Sequence, residues 1–405
     1  MNNGRLITIG ISAVLIVVCL LWLPGIEGRR DNSLFILPIV TMLGCALCTA
    51  GRNLSISLLM AYTACHIYFV TTTYGAMSTV YQFAAFSVVY AFVVLKDGIY
   101  ARRNIIYNSI CLVAIVNVAA MIPQAFHVYL LPAIPAGIVY DRAFGLTANP
   151  NEVSALLAMC LPFFFRRRWA WCIPAIILGL VLARTTNGIL AAAFISIIYL
   201  FIGYRNNFIN RVALASIPLC LLMYCTFVDR FDLKDHLNGR GVIYQRTAQL
   251  ASVHPTGWGF YQYKFIMPMV TYANHMSDVQ KIAAWVQFSR KDLFDRSLET
   301  ISGTTDGDKM KAYLRAHSVN AAFVQAHNEY LEWMFIAGYA GLGLLIMALI
   351  MTLKRAYLAE DKIPALSLTA SACTAALFFS WQIISTGIIT VFTVAMIHGY
   401  KKVGA

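Results

Sequence analysis

Charge is the scarcest resource in this sequence. Only 12% of its 405 residues are Asp, Glu, Lys or Arg, while 60% are hydrophobic; soluble domains carry about 25% charged residues. A chain this poor in polar surface cannot hide its apolar side chains inside one water-facing globule, so a bilayer is its natural solvent. Cysteine is equally uninformative outside the apolar runs. All ten cysteines fall within such runs, and Cys45 and Cys48, although spaced as CxxC, read as packing residues. The longest polar segment has no cysteine, so no disulfide braces it and the redox compartment stays open. There is no internal repeat, no low-complexity tract and no inverted-repeat signature of the kind many transporters carry. His236, His254, His275 and His317 lack a metal-binding helical spacing. Asp306 and Asp308 sit in a turn composition with no third oxygen ligand, whereas hard cations take six or more oxygens. No metal or cofactor is expected.

Long apolar runs are what the sequence does have. Twelve of them, near 6–24, 34–50, 53–72, 79–95, 105–122, 148–165, 169–183, 187–203, 210–228, 327–352, 364–383 and 386–400, are long enough or nearly so to cross a hydrocarbon core of about 30 Å as helices, in which every backbone polar group finds an internal partner. The first run resembles a signal-peptide core after Arg5. It is long, no small-residue cleavage site follows, and Arg29, Arg30 and Asp31 come next, so it reads as a retained helix. The expected fold is an all-α integral membrane protein of about 12 transmembrane helices with one large external loop between spans 9 and 10. The domains are residues 1–228 with helices 1–9, a loop over 229–326 with short helices near 277–300 and 309–326, and residues 327–405 with helices 10–12.

The formal charge of +13 invites a nucleic-acid partner. The basic residues instead lie in short loops between apolar runs, which is an orientation signal. With the amino terminus inside, 15 Lys and Arg fall on the cytoplasmic side, among them Lys96, Arg102, Arg103 and Arg166 to Arg168. The short opposite loops hold only Arg29, Arg30, Arg142 and Arg184. Both termini are therefore expected in the cytoplasm, with residues 123–147 and 229–326 on the far side.

Several polar groups interrupt this plan. His327, Asn328, Glu329 and Glu332 stand where the large loop returns to apolar sequence. Ionisable groups at that depth are costly and point to function, and a His can take a proton from a hydroxyl near neutral pH. Equally, His, Asn and Tyr suit a headgroup layer, and a Glu near a helix start favours the helix dipole. Arg240 lies between Gly239 and Gly241, which would let backbone approach a ligand closely, and a guanidinium suits a diphosphate; a solvated loop Arg is the plainer reading. Arg246 follows, ten residues before Gly257 in the His254-Pro255-Thr256-Gly257-Trp258-Gly259-Phe260 stretch. Asn149-Pro150-Asn151 is a turn and helix-cap signal, with Glu152 entering the apolar segment behind it. Arg184 either snorkels to the interface or adds positive charge to an external site. His66 and His398 read as packed within spans.

Taken together, Gly145 to Glu152, Gly239-Arg240, His254 to Phe260, His327-Asn328-Glu329 and Ile336 to Leu342 resemble, in order and sidedness, the bacterial O-antigen ligase and O-antigen polymerase superfamily. The resemblance covers residues 145–342 and is hydropathy elsewhere. It implies a metal-independent glycosyltransferase of the bacterial inner membrane. Such an enzyme moves a glycan from an undecaprenyl-diphosphate-linked oligosaccharide to an acceptor hydroxyl, on another glycan or on lipid A core, at the periplasmic face. By position, Arg240 would steady the leaving diphosphate and His327 would orient or deprotonate the acceptor. Arg246, Arg184, Arg142, Glu329, Asn328, Gly257 and His254 are the further donor- or acceptor-binding candidates. Two departures stand out. The family Arg at the external end of the eighth span is replaced by Thr186 or Asn187, with Arg184 displaced, and the Arg, ten residues, Gly spacing fails from Arg142 because position 153 is Val. Ligase and polymerase stay open on these grounds. A protein O-oligosaccharyltransferase of the same superfamily and a polysaccharide transporter or flippase are the alternatives, the latter leaning on Glu152. Topology reporters test the orientation directly: a fusion after Arg168 should report the cytoplasm and one after Arg240 the opposite side.

Overall fold

The computed structural model describes residues 96–128, 142–147, 149–202, 233–258, 328–378 and 384–400, with the single positions 212, 263 and 381. Spans one to four, the ninth span apart from position 212, and the expected loop helices near 277–300 and 309–326 lie outside the described residues. Among those described, all regular structure is helical and there is no strand: α1 Lys96–Ala101, α2 Arg103–Gln124, α3 Pro150–Phe164, a 3-10 turn Ala170–Cys172 leading into α4 Ile173–Ala183, α5 Thr186–Phe201, α6 Leu233–Val253, α7 Glu329–Leu358, α8 Ile363–Leu377 and α9 Ile384–Gly399. By length and composition, α2 and α7 are sufficient to cross a membrane, and α3, α4, α5, α8 and α9 are shorter apolar helices. The last two expected spans are separate helices, and α7 runs past the expected end at 352.

The chain divides into two compact units, one of residues 1–52, 85–231 and 349–405 and the other of 53–84 and 232–348. In the first, α3 is the central element. Every residue from Val153 to Phe164 is buried, as expected for a helix that is apolar all round, and α2, α4, α5, α8 and α9 pack about it. Its start is fixed by Asn149, whose side-chain oxygen accepts from the Asn151 and Glu152 amides at 2.9 and 3.1 Å. Pro150 at the first helical position loses no bond the helix needs.

Close approach of α5 to α3 depends on Gly188. A Cβ there would lie 2.5 Å from Ser154 Cβ and 2.6 Å from the Ser154 carbonyl oxygen. The α8–α9 contact is instead a seam of hydroxyls. Ser371 meets Thr390 at 2.8 Å and accepts from the Trp381 indole N–H at 2.8 Å, and Ser367 donates to the Met159 carbonyl of α3 at 2.9 Å. Such small polar side chains hold helices together where the surroundings offer no water. His398 is packed as expected, 8% exposed and 3.5 Å from the Thr352 hydroxyl. Among the described residues, Cys111, Cys160, Cys172 and Cys373 are not in disulfides.

Gly188→Ala forces α3 and α5 apart. A cost of about 1–3 kcal/mol is expected, read as a lower apparent melting temperature of the detergent-solubilised protein, while Ala at the open Gly343, where a Cβ meets nothing within 4 Å, leaves it unchanged.

Candidate functional site

In the second unit, α6 presents Ile243, Thr247, Leu250 and Ala251 to the interior, the i, i+4, i+7, i+8 spacing of one helix face. Its end is made by a turn. His254 N–H donates to the Leu250 carbonyl at 3.1 Å and Gly257 N–H to the His254 carbonyl at 2.9 Å. Trp258 then folds back, its indole N–H also reaching the Leu250 carbonyl at 2.9 Å. The Trp258 ring stacks on Phe335 of α7 with centroids 6.1 Å apart, and Tyr263 meets the same phenyl edge-on at 5.0 Å.

The junction of this turn with α7 is a backbone exchange. Gly338 has φ +71° and ψ −174° inside α7, a conformation reserved in practice for glycine, and the helix breaks there. A regular helix would join the Tyr339 N–H to the Phe335 carbonyl. Here Tyr339 N–H donates to the Pro255 carbonyl at 3.1 Å, and the Phe335 carbonyl accepts from the Trp258 N–H at 2.8 Å. The turn thus supplies one acceptor and one donor for the very pair that the break separates. Contact this close leaves no room for side chains. A Cβ on Gly257, itself at φ +90°, would lie 2.3 Å from the Ile336 carbonyl oxygen, and one on Gly338 would lie 2.1 Å from the Pro255 carbonyl oxygen.

The same helix begins at Asn328. Its side-chain oxygen accepts from the Tyr330 and Leu331 amides at 3.0 and 3.1 Å, an N-cap bond set. The first turn carries two carboxylates, Glu329 at 0% and Glu332 at 4% exposure, where the helix dipole favours negative charge. Thr247 donates its hydroxyl to the Ile243 carbonyl at 2.7 Å, so the 2.8 Å contact with Tyr263 has the phenol as donor. Burial pushes the Tyr263 phenol well above its usual range, and the negative charge of Glu332 adds to it. Beside Thr247, half-buried Arg246 donates to the Gln249 side-chain oxygen at 2.7 Å.

A second polar cluster belongs to the first unit. Gln124 near the end of α2 grips residues 144–145: its side-chain oxygen accepts from the Phe144 and Gly145 amides at 2.9 and 2.8 Å, and its amide nitrogen donates to the Gly145 carbonyl at 2.6 Å. Asn117 accepts from the Leu146 amide at 3.0 Å. Ala143 N–H donates to the Leu182 carbonyl at 3.1 Å, which ties the Arg142 segment to the end of α4, where Arg184 caps the helix at φ +49°. Arg142 and Arg184 are both exposed. Glu152 accepts from the Asn149 side-chain amide at 2.8 Å, so Asn149 and Glu152 form a reciprocal cap.

The candidate residues therefore fall into two groups. Arg246, His254, Gly257, Asn328 and Glu329 belong to the second unit, Arg142 and Arg184 to the first. His327, Asp306, Asp308, His275 and His317 lie outside the described residues, as do the side chains of Arg240 and His236. One expectation changes: Gly239-Arg240-Gly241 is not a loop but part of α6, and a Cβ on Gly241 meets nothing within 4 Å. Among the described residues no group of three His, Cys, Asp or Glu side chains is arranged to hold a metal. Sequence reasoning missed Asn117, Gln124, Thr247 and Tyr263. A polar amide inside an apolar run was the available signal for Asn117; Gln124, just past the run, Thr247 and Tyr263 carry none. Neither family models nor curated proteins compared with the chain match it.

Gly257→Ala and Gly338→Ala should each break the exchange of bonds at the junction. Each is expected to lower the apparent melting temperature more than Gly188→Ala does, because both add a backbone clash to a forced change of φ.

Proposed function

We propose that this chain is an inner-membrane glycosyltransferase of the O-antigen ligase or polymerase type. In this reading about twelve spans cross the bilayer, both termini are cytoplasmic, and residues 229–326 face the periplasm. The substrate is a glycan on undecaprenyl diphosphate, transferred to an acceptor hydroxyl on another glycan or on lipid A core.

One observation carries the reading. His254 to Trp258 and Ile336 to Tyr339, two of the separate segments on which the resemblance rests, meet through paired backbone bonds and two glycines that tolerate no Cβ. They do so on the helix whose first turn holds Asn328 and Glu329. Segments far apart in sequence that fix one another this way fit a shared task at the start of α7. The transporter alternative leans on Glu152, whose carboxylate partners the capping Asn149; that role needs no transported solute.

In the proposed reaction His327, directly before the N-cap, orients the acceptor hydroxyl or takes its proton. Arg240 holds the diphosphate as the anomeric carbon–oxygen bond to it breaks, and the acceptor oxygen attacks from the opposite face with inversion. Fixed positive charge facing a leaving diphosphate is the kind of preorganised electrostatics that usually contributes most. Arg246 is a further candidate for binding the anionic donor.

The test is an assay with purified protein and undecaprenyl-diphosphate oligosaccharide. Longer lipid-linked chains identify a polymerase, and glycan on lipid A core identifies a ligase. His327→Ala and Arg240→Ala should each cut turnover by about 100-fold or more with insertion retained, and chelators should have no effect. Wild-type turnover in both variants overturns the site, and movement of substrate across a vesicle with no bond change overturns the enzyme.

A further inference from the structure

The turn between α3 and the 3-10 segment carries three consecutive arginines that are used differently. Arg166 is committed: it donates to the Asn104 side-chain oxygen at 2.9 Å and lies 5.0 Å above the Tyr107 ring. Tyr107 in turn donates to Asp361 at 2.8 Å. Arg167 and Arg168 are exposed, and neither guanidinium has a hydrogen-bond or ion-pair partner among the described residues. The neighbouring Trp171 is 75% exposed. Its indole N–H is tied to the Arg168 carbonyl at 3.1 Å, so the face it presents outward is apolar.

From Trp171 a single stripe descends along the 3-10 turn and α4: Trp171, Pro174, Ala175, Leu178 and Leu182, all exposed or half-buried, while Cys172, Ile173, Ile176 and Ile177 between them are buried. The spacing i, i+3, i+4, i+7, i+11 keeps these positions on one helix face. At a helical rise of 1.5 Å per residue the stripe is about 17 Å long, close to one leaflet of a hydrocarbon core about 30 Å thick. Two uncommitted guanidiniums above an indole and one leaflet's depth of apolar surface match one molecule in particular.

We infer that Arg167 and Arg168, with the Trp171–Leu182 stripe, form a binding site for an anionic glycerophospholipid. The phosphodiester pairs with the planar donors of the two guanidiniums, the indole sits at headgroup depth, and an acyl chain lies along Pro174, Leu178 and Leu182. A nucleic acid or an acidic peptide would use the arginines and leave the stripe idle, and so would free phosphate. The inference rests on the membrane reading of the chain but not on glycosyl transfer, and its test contains no glycan donor, so its failure leaves the enzymatic proposal standing.

The experiment is native mass spectrometry of the purified full chain in detergent with equal phosphatidylglycerol and phosphatidylcholine. The wild type should retain phosphatidylglycerol on the order of tenfold more, since each basic residue near an anionic headgroup contributes severalfold. The Arg167→Gln, Arg168→Gln pair should hold both lipids equally, and the Arg167→Lys, Arg168→Lys pair should keep most of the preference. Leu178→Asn should weaken both lipids alike. No preference in the wild type, or a preference unchanged in the glutamine pair, overturns the site. So does full displacement of phosphatidylglycerol by inorganic phosphate with no effect of Leu178→Asn, which would identify a plain anion site.

Discussion

One break in one helix organises the second unit. A transmembrane-length apolar helix gains its stability from an unbroken ladder of backbone bonds, and α7 gives up that ladder at Gly338. Two groups are freed, the Tyr339 N–H and the carbonyl of fully buried Phe335, and a buried polar group costs about 1–3 kcal/mol if left unmade. The turn after α6 restores both, with the Pro255 carbonyl and the Trp258 N–H. The break and the turn therefore require one another. Neither conformation is sensible alone, and the glycines at 257 and 338 are what allow the two backbones to come within bonding distance. Stacking of Trp258 and Tyr263 on Phe335 then closes the contact against water.

This constraint explains why chemistry would gather at the start of α7. Asn328 fixes the helix start by its side chain, Gly338 fixes the helix from within, and the turn at 255–258 holds the segment between them against α6. Glu329 and Glu332 are carried on that doubly anchored segment, buried near a helix amino terminus where the dipole offsets part of their desolvation. Side chains that must meet a substrate within a few tenths of an ångström need that kind of support, and this is the physical content of the proposed glycosyl transfer.

Much of the helical plan was legible from apolar runs alone. The segments 105–122, 148–165, 187–203 and 386–400 correspond within a few residues to α2, α3, α5 and α9, because a run of apolar residues bounded by Arg, Asn-Pro or Thr leaves little choice. A helix cap at Asn149 or Asn151 was legible from Asn-Pro-Asn, and the structure selects Asn149, with Pro150 at the first helical position. Three features were not. The helical state of Gly239-Arg240-Gly241 runs against two glycines, whose intrinsic preference is overridden by the flanking face of α6. The break at Gly338 lies in an apolar stretch where hydropathy sees only continuity, and its reason, a turn some eighty residues earlier, is invisible to any local pattern. The grip of Gln124 and Asn117 on residues 144–146 was hidden for the same reason: Asn117 is a polar side chain in an apolar run and Gln124 stands just past it, but the partner of each is backbone.

The most direct test of the account is hydrogen–deuterium exchange at single amides of the full chain. Tyr339 and Trp258 should exchange slowly and together, and both should accelerate when Gly338 is replaced by alanine, because each amide's bond depends on the same junction. Rapid exchange at Tyr339 beside a protected Trp258 in the unaltered protein, or protection of both that survives the replacement, would contradict it.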